Sequence, residues 1–124
     1  MPLVLIALGG AAGATTRYLL DTWIAERAGG AFPWGTLVIN VSGSLVLGLL
    51  FALAIERGVL PASIRGPILI GFIGAYTTFS TLMLESWRLI EGGAVGLGLA
   101  NLIGSSVIGM VAVVGGLMIG RALA

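Results

Sequence analysis

A chain of 124 residues fits one domain, residues 1–124. It is 58% hydrophobic and only 9% charged, where soluble domains carry about 25% charged residues, so a soluble fold of this size could not cover its surface. Six arginines against five acids give a net charge of +1, without the basic patch that a nucleic-acid partner needs, and the lack of cysteine and histidine excludes disulfides and thiolate chemistry and argues against a transition-metal site.

The apolar residues come in runs, and about 20 such residues span a bilayer. Four runs are legible, at roughly 3–24, 33–55, 66–88 and 96–120. The first lacks the basic start of a signal peptide and is expected to be retained as a span. Between the first and second, Glu26, Arg27 and Gly29–Gly30 lead to Pro33, a good first-turn residue. Glu56, Arg57, Gly58 and Pro61 separate the second from the third, and Glu91–Gly92–Gly93 the third from the fourth. None of the runs alternates as a barrel strand does. The expectation is an all-α integral membrane protein of four transmembrane helices, multi-pass in the cell's inner (plasma) membrane and embedded in its lipid bilayer.

Four spans put both ends of the chain on one side, with Arg57, Arg65 and Arg121; Arg27 and Arg88 fall on the other. Arginine near loops orients membrane proteins, and this near-even split permits insertion in both orientations. Glycine, 21 residues in all, forms small-residue spacings such as Gly9–Gly13 and Gly116–Gly120. These read as close helix packing, because lipid offers no hydrophobic drive between helices.

Several polar groups interrupt the runs. In the first span, Arg17 and Asp21 have the four-residue spacing of an ion pair. In the second, Asn40 and Ser44 share a face, as interhelical glue or as lining of a polar path. In the third, Gly71, Gly74 and the following Thr77–Thr78 permit a helix break at about 74–78. Broken helices at membrane depth bind ions or line cavities, and freed carbonyls suit a hard cation such as Na⁺; residue types alone favour the other reading, an unbroken helix with threonines bonded to their own backbone. Phe79 and Leu82 then share a face, and aromatic ring edges are electropositive, while Ser80 and Thr81 add hydroxyls. Glu85, Arg88 and Glu91 step along the span end as an interfacial ladder. In the fourth span, Asn101 and Ser105 face one way with Ser106 beside them.

This inventory holds amides, hydroxyls, ring edges and backbone, without the parts of a hydrolase or a phosphate-binding loop, so an enzyme is not expected. Neutral donors suit an anion that must leave as readily as it enters. The residues point to a selective pore for a small anion.

Taken together, GGAAGATTRY at 9–18, PWGTLVINVSGS at 33–44, GFIGAYTTFSTLMLE at 71–85 and NLIGSS at 101–106 resemble the Fluc (CrcB-type) fluoride channels over nearly the whole chain. The resemblance implies a four-helix subunit in an antiparallel, dual-topology dimer. Two pores at the subunit interface would carry fluoride passively out of the cytoplasm. It also implies a structural Na⁺ on main-chain carbonyls, here those of Gly74 and Thr77. The implied anion pathway comprises Asn40, Phe79, Ser80, Thr81 and Leu82, with Ser105 or Ser106. Glu85 matches a pore-adjacent acid, and Arg17 an arginine of the first helix with at most an interface role. Many members carry a second phenylalanine where this chain has Leu82, so a full set of four rings is not expected. With all the motifs in one chain, a homodimer is favoured over a heterodimer with a related chain. Two rival readings are a small dual-topology multidrug/proton antiporter, which needs a membrane-centred carboxylate, and a non-transporting membrane scaffold.

Overall fold

A computed structural model describes residues 2–123. Four stretches of it are long and apolar enough to cross a membrane: Pro2–Ala28, Trp34–Glu56, Ala62–Glu91 and Val95–Leu123. The third is two helices separated by Thr77 and Thr78, so the elements are α1 (Pro2–Ala28), α2 (Trp34–Glu56), α3 (62–76), α4 (Phe79–Glu91) and α5 (Val95–Leu123). The first, third and fourth spans extend beyond their apolar runs, because helical hydrogen bonding continues into charged ends such as Glu26–Arg27 and Arg121, while the second matches its run to within one residue at each end.

The helices stop where the sequence supplies a residue that can leave helical geometry. Pro33 precedes α2 instead of opening its first turn. Gly58 and Gly93 adopt φ of +65° and +94° after α2 and α4, a region that residues with a Cβ enter at a cost. Three stretches widen to the π-helical pattern: Ala52–Glu56, Gly66–Ile73 and Ala100–Gly104. Pro67 lies near the start of the second; it lacks an N–H and its ring crowds the carbonyl one turn earlier, and a wider turn relieves both.

α2 packs along α5, α1 along α3, and α4 against the first turns of α5, with α1 also touching α2. The seams are backbone against backbone. A methyl group on Gly48 would run into the Val113 carbonyl, one on Gly116 into the Leu45 carbonyl, and one on Gly13 into the Phe72 carbonyl. This is how helices associate in lipid, where attraction comes from dispersion and short interaxial distance.

The two ends of the bundle differ. At one, Arg121 donates from Nε and Nη2 to the two carboxylate oxygens of Glu56, both at 2.9 Å, and Arg57 Nη2 donates to the Arg121 carbonyl at 2.9 Å. That lashing joins the ends of α2 and α5. The other end carries Trp23, Trp34 and Trp87, all exposed, as at a membrane–water interface. The interior is small, consisting of Ile39, Ala52, Ala54, Ile73, Tyr76 and Leu82 among apolar residues, while large apolar side chains stand exposed on every helix. Such a surface belongs in acyl chains or against another protein. The protein is a multi-pass membrane protein.

Candidate functional site: a polar cleft at the break in the third span

The break forms where the α3 backbone turns extended, at Thr77 (φ −81°, ψ 159°) and Thr78 (φ −149°, ψ 119°). Neighbouring helices hold each residue around it. Asn40 of α2 grips Thr78 with both ends of its amide: Thr78 N donates to Asn40 Oδ1 at 2.8 Å, and Asn40 Nδ2 donates to the Thr78 carbonyl at 2.9 Å. An extended residue points its own N–H and C=O to the same side, so Asn40 does here what a neighbouring strand would do. The Tyr76 hydroxyl lies 2.9 Å from Ser42 Oγ. The Thr77 methyl occupies the space that a Cβ on Gly43 would need. Arg17 Nε of α1 donates to the Ala75 carbonyl at 3.3 Å.

Thr78 also starts α4. Its hydroxyl accepts from Thr81 N at 3.3 Å and donates to Thr81 Oγ1 at 2.9 Å, the capping contact that a threonine provides at a helix start. The amides of Phe79 and Ser80 fall in the first turn, where helix geometry supplies no partner.

A cleft of about 390 Å³ opens beside the break. Asn40, Ser44, Thr77, Thr78, Phe79, Leu82, Ser105, Ser106 and Met110 contribute to its wall. Five of the expected pathway residues, Asn40, Phe79, Leu82, Ser105 and Ser106, are thus brought together from α2, α4 and α5. Their environments differ. Phe79 is 74% exposed at the cleft edge, whereas Leu82 is 6% exposed. Ser106 is exposed and donates back to the Leu102 carbonyl at 2.8 Å. Ser105 is buried and donates to Asn101 Oδ1 at 3.3 Å, and Asn101 Nδ2 donates to Ser86 Oγ at 3.0 Å. This buried chain ties α4 to α5. Ser80 and Thr81 lie outside the cleft lining: Ser80 is exposed, and Thr81 is engaged with Thr78.

Glu85 belongs to a second cleft of about 280 Å³ with Pro33, Arg88 and Leu89. Its Oε1 is buried without a hydrogen-bond partner among the described residues. The expected ladder of Glu85, Arg88 and Glu91 is not closed by ion pairs, and neither is Arg17 with Asp21; among the described residues the ion pairs are Arg27–Glu26 and Arg121–Glu56. Arg17 reaches across to α3 instead, where the break has left a carbonyl in need of a donor. The spacing along one helix allows an ion pair, but a carbonyl freed on the neighbouring helix takes the donor.

The sequence reading passed over Ser42, Ser86 and Met110. Ser42 and Ser86 carry a weak signal as lone hydroxyls inside apolar runs. Met110 carries none, being one apolar residue among many in its helix.

No group of three or more His, Cys, Asp or Glu residues suited to a metal occurs among the described residues. Any cation at the break would have to be held by oxygen of the backbone or of hydroxyls.

Comparison with known proteins bears on this arrangement. The family model of the CrcB-like proteins (Camphor Resistance, CrcB) matches residues 4–117. A protein of Magnetococcus marinus named fluoride-specific ion channel FluC is 42% identical over 121 residues, covering 98% of each chain. Proteins of the same name from Hahella chejuensis and Rhizobium meliloti are 43% and 40% identical, covering 96% and 98% of this chain and 94% and 97% of their own. These relatives are ion channels by name, not enzymes. With a match that runs through all four spans, and with Asn40, the break and Phe79 set around one cleft, the chain belongs to the CrcB-like family of fluoride channels.

Proposed function

We propose that this chain is a subunit of a fluoride-selective channel that carries fluoride passively out of the cytoplasm across the plasma membrane. The observation that carries the proposal is the cleft at the break. The Asn40 amide, the side chains of Ser44, Ser105 and Ser106 and the Phe79 ring line it from three helices, and no carboxylate or arginine is among its described lining residues; the serine hydroxyls now donate within the chain and would have to turn toward an anion. A small, strongly hydrated anion needs several donors to replace its water, and donors without formal charge hold it weakly enough to release it. An antiporter would need a carboxylate in this cleft, and Glu85 lies in the other one.

The subunit works as a dimer, homodimer rather than heterodimer, with its copies antiparallel and the pores at their interface. Support comes from Phe79, whose exposed ring borders an open cleft. A second copy would close that side. The near-even arginine split between the two ends is compatible with insertion both ways.

The backbone at the break fits a Na⁺ held by the Gly74 and Thr77 carbonyls. In an unbroken helix the Gly74 carbonyl would accept from Thr78 N, but that amide is bound to Asn40. The peptide unit is planar and trans, so its C=O and N–H point oppositely; with Thr78 N turned to Asn40, the Thr77 carbonyl points away from α2. Among the described residues both carbonyls are therefore open to a hard cation at the C-terminal, partially negative end of α3. When bound, the cation would balance that partial charge. Two carbonyls are too few for such an ion, and the same pair from a second copy would double them.

The test is efflux from liposomes loaded with fluoride or chloride. Fluoride leaving much faster than chloride is expected. A well-folded dimer that releases neither would make the chain a scaffold, and proton-coupled export of a cationic dye would make it an antiporter.

A further inference from the structure

We infer that Arg17 is a positioning residue for the break: its Nε–H holds the Ala75 carbonyl and so fixes the end of α3 against α1. In a continuous helix, the Ala75 carbonyl would accept from Phe79 N. The break removes that partner, and Arg17 Nε stands 3.3 Å from the orphaned oxygen. The fit is reciprocal, because an arginine within a span is costly unless it finds carbonyls or charge to bind, and a cation is favoured at a helix C-terminus. Asp21, the acid one turn away, forms no ion pair with it among the described residues.

The reach of Arg17 is set by the packing below it. Gly9 and Gly13 bring α1 to backbone contact with α3 at Pro67 and Phe72. One turn beyond Gly13, on the same face, Arg17 meets the end of α3. α1 thus sets the height of that end, while Asn40 and Ser42 of α2 hold Thr78 and Tyr76. The break is clamped from two helices, and among the described residues the Gly74 and Thr77 carbonyls remain without a donor between the clamped residues, while Thr77 N and Oγ1 donate to the Ile73 carbonyl.

The identity of the donor atom makes this testable. Gln carries its amide nitrogen as many bonds from Cα as Arg carries Nε. Met places a methyl carbon at that position, with similar shape and no donor. Lys keeps the charge but moves its donor one bond further out. Hydrogen–deuterium exchange of the purified chain in lipid nanodiscs, read over residues 74–80 and over 105–120, distinguishes them. In R17M, exchange over 74–80 is expected to quicken about tenfold or more, with 105–120 unchanged, as for local opening. R17Q is expected to stay within about threefold of the parent, and R17K to fall between R17Q and R17M.

Parent-like exchange in R17M overturns the inference. So does R17Q matching R17M, which would assign the effect to charge. Should R17M fail to fold, R17Q against R17K decides: slower exchange in R17Q supports the Nε bond, and equal or faster exchange in R17Q overturns it. The consequence for conduction rests on the channel reading, with fluoride efflux falling in R17M and kept in R17Q. Parent protein that passes no fluoride would sink the channel reading and leave the exchange comparison standing.

Discussion

At the scale of single residues, Phe79 and Asn40 carry different kinds of burden. Among the described residues the Phe79 side chain makes no polar contact, and its largely exposed ring lines the cleft. Phe79→Ile keeps an apolar side chain and removes the edge. If the ring lines the anion path, this should slow fluoride efflux about tenfold, the equivalent of ~1.4 kcal/mol, with the parent's elution volume on gel filtration kept; unchanged efflux would take Phe79 out of the path. Asn40 both faces the cleft and braces the break. Asn40→Asp puts a carboxylate in the cleft and sets an acceptor against the Thr78 carbonyl, where Nδ2 now donates. Efflux should fall at least about a hundredfold, since a charge inside the membrane costs several kcal/mol. Wild-type efflux in that variant would reduce Asn40 to packing. Both rates come from the same liposome assay, with chloride alongside.

Among elements, the α2–α5 seam governs the shape of the cleft, because both helices form its wall. Gly116 lies in that seam against the Leu45 carbonyl. Gly116→Ala should force the helices apart and cost about 1–3 kcal/mol, read as a lower midpoint of thermal unfolding in detergent. An unshifted midpoint would show a looser seam. Elements were also the level most legible in the sequence. Apolar run length sets spans, and proline and glycine set their ends, so the four helices and their links could be read directly. The break was only half legible: Gly74 and the paired threonines permitted it, but residue types alone favoured a continuous helix, because a threonine can bond its own backbone, and the family resemblance was what pointed to the break. What stayed hidden was the partner of each polar group. Arg17 and Ala75 are 58 positions apart, Asn40 and Thr78 are 38, and Ser86 and Asn101 are 15. Local pattern decides which groups need a hydrogen bond, and packing decides who supplies it. For that reason Asn101 and Ser105 could be seen to share a face without revealing that the face is closed against α4.

At the scale of the whole molecule, the question is how copies sit in the bilayer. The chain has no cysteine, so one can be introduced without background. Ala62, exposed at the start of α3, is a suitable place. If the subunits insert both ways, a membrane-impermeant maleimide added outside sealed cells should label about half of the Ala62→Cys chains, as a near-even positive-inside bias allows. Complete labelling or none would mean one orientation and would sink the antiparallel dimer.

α1 has a single buried residue along its 27, Gly13. Its outward side chains, Leu3, Leu8 and Leu19 among them, stand largely exposed among the described residues, so evolution should be free to exchange them among oily residues while Gly9, Gly13 and Arg17 stay put. A saturation screen for fluoride resistance should therefore tolerate almost any aliphatic replacement at Leu3, Leu8 or Leu19 and reject bulk at Gly13. Broad intolerance across the outward face would mean that something specific, and not fluid hydrocarbon, lies against it.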